Sequence, residues 1–375
     1  MEKIKKLLKN ILAILVLISL CVIIFYQNRD RDFLDFGKSE SEKAEEEFST
    51  PEHISDGVSG RVIAKVADGV VSITSNSLEI MEKNGRKSTE SIAVSNPIVH
   101  SEGEFFLYYG SEGKEISIKK GQKEYYKITT DNRIIRAKVN RNGYSFVVCE
   151  KEGYSSEITV YNRVGEAIFK WSLSKSEFLD GDLNSDNNKI IFSTVDAAEN
   201  IMQGKLTLID ITNAQVEKEE IFESEIFYIT DFYRNGTYTA LGNNKLVYFN
   251  SNGTKKWEYG YEGRELLKAE LTEPDNMVIA FSAAGSGIKG NSTEVEVINR
   301  LGEVIESRTI PSILDDIAVS KNKIALAFGK KLYITNERLK DKDTLEADSS
   351  IKKVEFFTDD NHLFVLGNSS VQILA

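Results

Sequence analysis

The sequence has few of the residues on which disulfide-rich domains and metal sites depend. Its 375 residues include two cysteines, three histidines and four prolines. Cys21 lies in an apolar N-terminal run and Cys149 in a predicted core strand, so no disulfide is expected between them, and a chain of this length does not need one. His53, His100 and His362 share no spacing, which argues against a zinc site or histidine-based catalysis.

Helical periodicity is also scarce. Only residues 212–227 could hold a turn or two of helix, and an extended edge strand explains that segment equally well. The chain instead has 15 tyrosines and 19 phenylalanines, which favour β-strands, and 41% hydrophobic residues, enough for a packed core. The composition therefore favours an all-β protein.

Acidic residues outnumber basic ones, 58 to 47, and the formal net charge is −11. Residues 1–10 carry +3 and residues 27–56 carry −6, which leaves −8 on residues 57–375. A surface of this sign repels phosphate backbones, so no nucleic-acid partner is expected.

Residues 11–26 form an uncharged apolar run near the N-terminus. Such a run can span a bilayer if its flanking residues snorkel, and it ends in large side chains rather than at a signal-peptide cleavage site. Leu20 before Cys21 argues against lipidation of that cysteine. We predict an uncleaved, single-pass transmembrane anchor, with the lysine-rich residues 1–10 as a short cytoplasmic tail and everything after the anchor outside the cell.

Residues 27–56 follow the predicted anchor. They are rich in Asp, Glu, Ser and Lys and show no apolar periodicity, which predicts a solvated, flexible acidic linker. The remaining domain, residues 57–375, is the predicted globular part. The sequence thus predicts a protein held at the cell membrane by its N-terminal helix, with an extracytoplasmic head.

After residue 57 the sequence is self-similar at a period of about forty residues, in the range of propeller blades. In each unit the second strand is apolar on both faces, which requires that both faces be covered. A polar turn, often with glycine, follows the third strand and leads to a more polar outer strand. The units begin near residues 60, 95, 132, 176, 225, 264, 312 and 350.

This pattern predicts an all-β β-propeller of eight blades, with seven blades as the alternative. The last unit, residues 351–374, has only three predicted strands. A strand from residues 50–62 is expected to supply the missing outer strand and close the ring, because closure removes a free sheet edge.

The unit of apolar strand, Asn-x-x-Gly turn and outer strand with Trp resembles the quinoprotein-type repeat, best in residues 162–171 and 250–257. With the basic tail, single span and acidic linker, the chain resembles a family of membrane-anchored, quinoprotein-like β-propellers of unknown function from Gram-positive bacteria. The resemblance implies a fold and a tether. Only two units keep the Trp, so it implies no catalytic residues and no cofactor.

Two motifs match binding loops in part. Residues 285–290, GSGIKG, match the dinucleotide fingerprint but precede a strand rather than a helix, so a loop between strands is favoured. Residues 180–186, DGDLNSD, resemble the start of a calcium loop but lack Gly at the sixth position and Glu at the twelfth. A turn between two strands is favoured there, with weak calcium binding as the alternative.

Charged residues are frequent in the first strand of each unit, which lines the channel of a propeller; the last unit, for example, has Lys352 and Glu355 there. A water-filled channel with walls of mixed sign explains them, because charges avoid the dry surfaces between blades. The alternative is a polar ligand site at one channel mouth. The candidate ligand-binding residues are Arg136, Asp182, Asp231, Lys268 and Asp316.

No coherent catalytic set emerges from these motifs. The leading hypothesis is a binding or scaffolding module at the cell envelope, with an envelope protein or a wall polymer as partner. The first alternative is an extracytoplasmic enzyme, either a quinone-dependent oxidoreductase or a carbohydrate-active hydrolase or lyase that uses channel carboxylates. The second is a sensor ectodomain that acts through a partner membrane protein.

Overall fold

The computed structural model describes residues 61–374, except residues 68, 83–84, 199–200, 234, 273–275, 283–291, 341, 358–360 and 369–370. Within these residues the chain forms 31 strands, which pair into eight antiparallel sheets in chain order. Each sheet is one blade of a β-propeller. The eight predicted blades are confirmed, and the alternative of seven is wrong.

The first four blades have four strands each. Blade 1 contains β1 (Val62–Val66), β2 (Gly69–Ile73), β3 (Ser77–Glu82) and β4 (Lys87–Ser91). Blade 2 contains β5 (Pro97–Glu102), β6 (Phe105–Gly110), β7 (Glu115–Lys120) and β8 (Lys123–Thr129). Blade 3 contains β9 (Ile134–Val139), β10 (Ser145–Lys151), β11 (Tyr154–Tyr161) and β12 (Ala167–Leu173). Blade 4 contains β13 (Glu177–Leu183), β14 (Lys189–Ala198), β15 (Ile201–Asp210) and β16 (Gln215–Glu223).

The last four blades follow the same order. Blade 5 contains β17 (Phe227–Phe232), β18 (Tyr238–Gly242), β19 (Lys245–Phe249) and β20 (Lys255–Gly260). Blade 6 contains β21 (Glu265–Leu271), β22 (Met277–Ser282), β23 (Thr293–Ile298) and β24 (Val304–Ile310). Blade 7 contains β25 (Asp316–Ser320), β26 (Lys323–Phe328), β27 (Lys331–Asn336) and β28 (Asp343–Glu346). Blade 8 contains β29 (Ile351–Phe356), β30 (Leu363–Gly367) and β31 (Val371–Leu374).

The second strand of each blade is its most buried part, as the apolar runs predict. Every residue of β18 and of β30 is buried. A strand that is apolar on both faces is stabilised most when another sheet packs against each face. The two neighbouring blades provide these two sheets. The segment with residual helical pattern forms the extended outer strand β16 rather than a helix.

Apolar clusters join each blade to the next all the way round the ring. In the described part of the chain there are eight of them, one for each pair of neighbouring blades. The cluster between the last and first blades packs Phe364 and Val371 against Ile63 and Met81. Side-chain packing therefore closes the circle.

The glycine turns lock neighbouring blades together at the outer strands. Gly302 follows Asn299 in the last turn of blade 6 and has φ of +85°, a conformation that favours glycine. A Cβ at this position would lie 2.9 Å from the ring of Trp257 in blade 5. The Trp257 indole also donates a hydrogen bond to the Arg300 carbonyl, at 3.0 Å. The Trp of the repeat thus docks onto the next blade.

Several predictions fall on residues that the structure does not describe. They concern the anchor at residues 11–26, the linker at residues 27–56 and residues 50–60 of the closing strand expected within residues 50–62; Val62, at the end of that range, begins β1 of blade 1. Between residues 61 and 374, the described stretches contain no helix long and apolar enough to cross a bilayer.

Candidate ligand site at the channel mouth

The first strands of the blades line the central channel, and most neighbouring pairs of them contact each other. The five predicted candidates lie on five consecutive blades, 3 to 7. Arg136 is in β9, Asp182 in β13, Asp231 in β17, Lys268 in β21 and Asp316 in β25. All five are therefore on innermost strands, as predicted, but they do not form one cluster.

Several channel side chains accept hydrogen bonds from the backbone of the next blade. The Asp180 carboxylate accepts from Thr230 N–H at 3.0 Å, and Asp182 accepts from Phe232 N–H at 2.8 Å. An innermost strand has one edge without a ladder partner, and its N–H groups need acceptors where water is excluded. These carboxylates therefore have a structural use, which spacing alone cannot reveal.

The same arrangement recurs at two other blade interfaces. Asp316 accepts from Val354 N–H at 3.0 Å, which joins blades 7 and 8. His100 accepts from Val139 N–H through Nδ1 at 3.2 Å, which joins blades 2 and 3. A side-chain acceptor from one innermost strand thus fastens the next.

Most of the other charged side chains in the channel form ion pairs with each other. Lys268 lies 3.0 Å from Asp316, and Lys138 lies 2.9 Å from Asp180 and 3.9 Å from Asp231. Arg136 donates to the Leu179 carbonyl at 3.1 Å. The two candidates Asp316 and Lys268 therefore bind each other, and the channel wall has mixed sign.

Carboxylates dominate the channel at blades 4 to 6, where burial and mutual repulsion raise several pKa values. Burial raises the pKa of Asp182 well above its usual range, with the nearby Asp231 and Glu102 carboxylates adding to the effect. Burial also raises the pKa of Asp231. The pKa of Glu270, which is exposed to the channel, rises to about 8, because the surrounding channel wall and the Glu355 and Asp316 carboxylates disfavour its charged form.

A cavity of about 560 Å³ opens at one mouth of the channel. It lies at the turns that join the first and second strands of blades 1, 2 and 3, next to the first strand of blade 8. Its volume is in the range of small-molecule sites. The lining residues are Ile63, Ala64, Lys65, Ala67, Val99, His100, Ser101, Glu102, Gly103, Arg141, Lys353 and Glu355.

None of the five candidates lines this cavity, so sequence reasoning located the channel but missed the pocket. Of its lining, the sequence patterns pointed to Glu355 as a channel charge. The charge pattern also pointed to Lys352 in blade 8. In the structure Lys352 is exposed, and its neighbour Lys353 lines the cavity instead. Lys353 is two residues from Glu355 and shares its face of β29, and the break in register between Ile351 and Lys353 moves only Ile351 to the other, buried face.

The turns around the cavity hold one another in place. The Ala67 N–H of blade 1 donates to the Gly103 carbonyl of blade 2 at 2.8 Å. A Cβ at Gly103, where φ is +61°, would lie 3.4 Å from the Arg141 Cβ of blade 3. The Arg141 guanidinium in turn pairs with Glu102 at 2.9 Å. Contacts between blades therefore position the pocket wall.

The calcium-like motif at residues 180–186 does not form a metal site among the described residues. Asp180 and Asp182 belong to β13 rather than to a turn, which begins at Asn184. Their carboxylates are engaged with Lys138 and the blade 5 backbone rather than turned towards an ion. No cluster of three or more His, Cys, Asp or Glu side chains suited to a metal ion occurs among the described residues. The loop at residues 285–290 lies outside them.

Comparison with known proteins gives the family. The family of unknown function DUF5711 matches residues 41–375, nearly the whole chain. The chain belongs to the DUF5711 family. No protein with a curated description matches its sequence.

Several solved structures are similar to this DUF5711 chain in fold. The C-terminal WD40 domain of Sif2 has a TM-score of 0.61 and 10% identity, covering 87% of this chain and 98% of that one. BamB from Moraxella catarrhalis has a TM-score of 0.56 and 12% identity, covering 87% and 96%. A eukaryotic initiation factor has a TM-score of 0.58 and 13% identity, covering 84% and 83%. At these identities the similarity shows a β-propeller fold alone.

Proposed function

We propose that this protein is a binding module of the cell envelope, and that the cavity at the channel mouth is its binding site. In this proposal the anchor at residues 11–26 holds the protein in the cell membrane, and the linker at residues 27–56 carries the propeller outside. The apolar run, the lysine-rich tail and the acidic linker support this location.

The observation that carries the proposal is a difference between the channel and the cavity. In the channel, Asp180, Asp182 and Asp316 already accept backbone hydrogen bonds from the next blade. At the cavity, by contrast, Lys65 and Ser101 have no polar partner within the described part of the chain. Uncommitted polar groups on the wall of a preformed pocket are what a ligand site requires.

This difference also favours binding over catalysis. A hydrolase needs two carboxylates free to face the substrate from opposite sides. Both carboxylates that line the cavity are paired with cations, Glu102 with Arg141 at 2.9 Å and Glu355 with Lys353 at 3.3 Å. The enzyme and the sensor hypotheses enter the experiment below as alternative outcomes.

A second part of the proposal concerns closure of the ring. We propose that a strand from residues 50–60 pairs with β31 and completes blade 8. Among the described strands β31 has one ladder partner, β30. Arg61, at the start of the described chain, is buried and bonds to Ser72 at 2.7 Å and Glu79 at 2.9 Å. It lies at a small cavity that Phe364 and Val371 of blade 8 also line, and this position next to blade 8 supports the proposal.

The binding proposal can be tested on the full chain, purified from its native membranes in mild detergent. Ser101→Trp would fill the cavity, and Ser91→Trp adds the same side chain on the exposed outer strand of blade 1. Mass spectrometry of co-purifying molecules should find a component with the parent and Ser91→Trp that Ser101→Trp loses. Turnover of an envelope substrate without any stable partner would contradict the proposal and favour the enzyme. A partner membrane protein retained by all three would favour the sensor.

A further inference from the structure

The cavity wall includes hydrogen-bond donors that have no acceptor among the described residues. The half-buried Lys65 ammonium forms no ion pair with any described residue, and its three N–H groups have no protein acceptor there. The Ser101 hydroxyl is similarly without a partner in the described stretches. These two groups lie on neighbouring blades, Lys65 in β1 and Ser101 in β5.

His100 also lines the cavity, but it lies on the opposite face of β5 from Ser101, towards blade 3. Its Nδ1 accepts the Val139 N–H, so the ring proton is on Nε2. Burial, together with the Lys138, Arg136 and Lys353 cations, lowers the pKa of His100 to about 3. The imidazole therefore stays uncharged at neutral pH.

The charges of the lining leave one positive charge uncompensated. Arg141 is paired with Glu102 and Lys353 with Glu355, so these four charges cancel. The positive charge of Lys65 is not cancelled by any of these pairs, and the neutral His100 adds no charge. A ligand with one negative charge neutralises the cavity, whereas a phosphate dianion would leave an excess negative charge beside the Glu102 and Glu355 carboxylates.

Part of the wall is apolar. Ile63, Ala64 and Val99 line the cavity on blades 1 and 2, next to the donor groups. A ligand that fills about 560 Å³ would place a hydrocarbon group against these side chains. The lining thus favours a molecule with one charged end and an apolar body.

We propose that the cavity binds a small organic monocarboxylate, held by the Lys65 ammonium and the Ser101 hydroxyl. This inference rests on the proposed binding function and specifies its ligand class. A carboxylate accepts two or more such hydrogen bonds, and bonds from a charged donor are the strongest of them. The apolar part of the ligand packs on Ile63 and Val99.

The experiment uses the full chain in detergent and isothermal titration calorimetry. The probe is N-acetyl-leucine, which has one carboxylate and one apolar side chain, and its matched control is N-acetyl-leucine amide, which lacks only the charge. We expect the carboxylate to bind at least ten times more tightly than the amide. Inorganic phosphate should bind more weakly than the carboxylate.

Variants assign the binding to Lys65. Lys65→Met should weaken N-acetyl-leucine binding at least tenfold, and Lys65→Arg, which keeps the charge, should retain most of it. Lys352→Met removes an equal charge from the exposed face of β29 and should leave the affinity unchanged. A circular dichroism spectrum equal to that of the parent will show that each variant is folded.

Three results would overturn the proposal. They are no measurable binding of N-acetyl-leucine, equal binding of its amide, or full binding by Lys65→Met. The binding function itself has a separate readout, because Ser101→Trp would still lose the component that co-purifies from native membranes. If that component is kept as well, the proposed site is also wrong.

Discussion

Asp316 and Val354 join blades 7 and 8 by one hydrogen bond, 3.0 Å long, from the Val354 N–H to the Asp316 carboxylate. Asp316 is 5% exposed, so water cannot replace the acceptor. Equivalent bonds at two other interfaces, from Thr230 to Asp180 and from Val139 to His100, make this a recurring means of fastening innermost strands.

The role of Asp316 predicts the effect of removing it. Asp316→Ala leaves the Val354 N–H buried without an acceptor and should lower the free energy of unfolding by about 1–3 kcal/mol. Asp316→Asn keeps an acceptor oxygen and loses mainly the ion pair with half-exposed Lys268. It should therefore lower the free energy of unfolding by less than Asp316→Ala does. Chemical denaturation of the full chain measures both. Equal stabilities of the parent and Asp316→Ala would show that the bond has no structural role.

The contact between Gly302 and Trp257 predicts a second graded series. Gly302→Ala places a Cβ at 2.9 Å from the indole, at a φ of +85°. Gly263→Ala is the matched control, because its φ is +76° but nothing lies within 4 Å of the new Cβ. Backbone strain alone should lower the free energy of unfolding of the control by about 1–2 kcal/mol. Gly302→Ala should lower it further, which chemical denaturation measures. A smaller loss at Gly302 would mean that the indole contact is not tight.

Glu270 predicts how stability changes with pH. Its pKa is about 8 in the folded protein, where Glu355, Asp316, Asp231 and Lys268 surround it, against 4.5 as the ordinary value. Between these values the folded chain keeps a proton that the unfolded chain has released. The free energy of unfolding therefore falls as pH rises through this window.

Glu270→Gln should abolish this part of the pH dependence. The difference between the stability curves of parent and variant, measured by denaturation from pH 4 to pH 9, isolates the contribution of Glu270. Glu265→Gln, at the exposed start of the same strand, is the control and should keep the parent curve. If Glu270→Gln follows the parent curve, the channel leaves Glu270 close to its ordinary pKa.

The proposed closing strand predicts a difference between two deletions of equal length. Removal of residues 50–60 should lower the melting temperature of the full chain markedly, because the outer edge of β31 would lose its ladder partner. Removal of residues 32–42 from the acidic linker should leave it unchanged. Hydrogen exchange gives a second readout, since the amides of Val371–Leu374 should lose protection only in the first deletion. Equal behaviour of the two deletions would contradict closure by this segment.

The predicted location can be tested in intact cells whose wall has been removed. Protease added outside should digest the propeller while a cytoplasmic marker survives, because we expect the lysines of residues 1–10 to keep only the tail inside. Alanine at Lys3, Lys5, Lys6 and Lys9 should reduce the digested fraction by weakening this orientation. A propeller that resists protease until the cells are lysed would place it in the cytoplasm.

Much of the fold was predictable because propeller blades repeat a simple pattern. Doubly apolar second strands such as β26 and glycine turns such as Asn299 to Gly302 are local in sequence, and they gave eight blades. The channel position of Asp182 followed from the same register.

The role of channel residues and the position of the cavity were not predictable in this way. The bond from Phe232 N–H to Asp182 joins residues 50 positions apart, and no spacing rule links them. The cavity is assembled from turns of three blades and a strand of a fourth. Its Lys353 shares the inner face of β29 with Glu355, whereas the charge pattern pointed to Lys352.

The most direct test of the central claim is photo-crosslinking in intact cells, with a photoreactive amino acid at position 101 in the cavity or at position 91 on the outer strand of blade 1. We predict that position 101 captures a specific small molecule or partner segment, that excess N-acetyl-leucine suppresses this product, and that position 91 does not yield it. The same product from both positions, or no product from position 101, would contradict a binding site at the channel mouth.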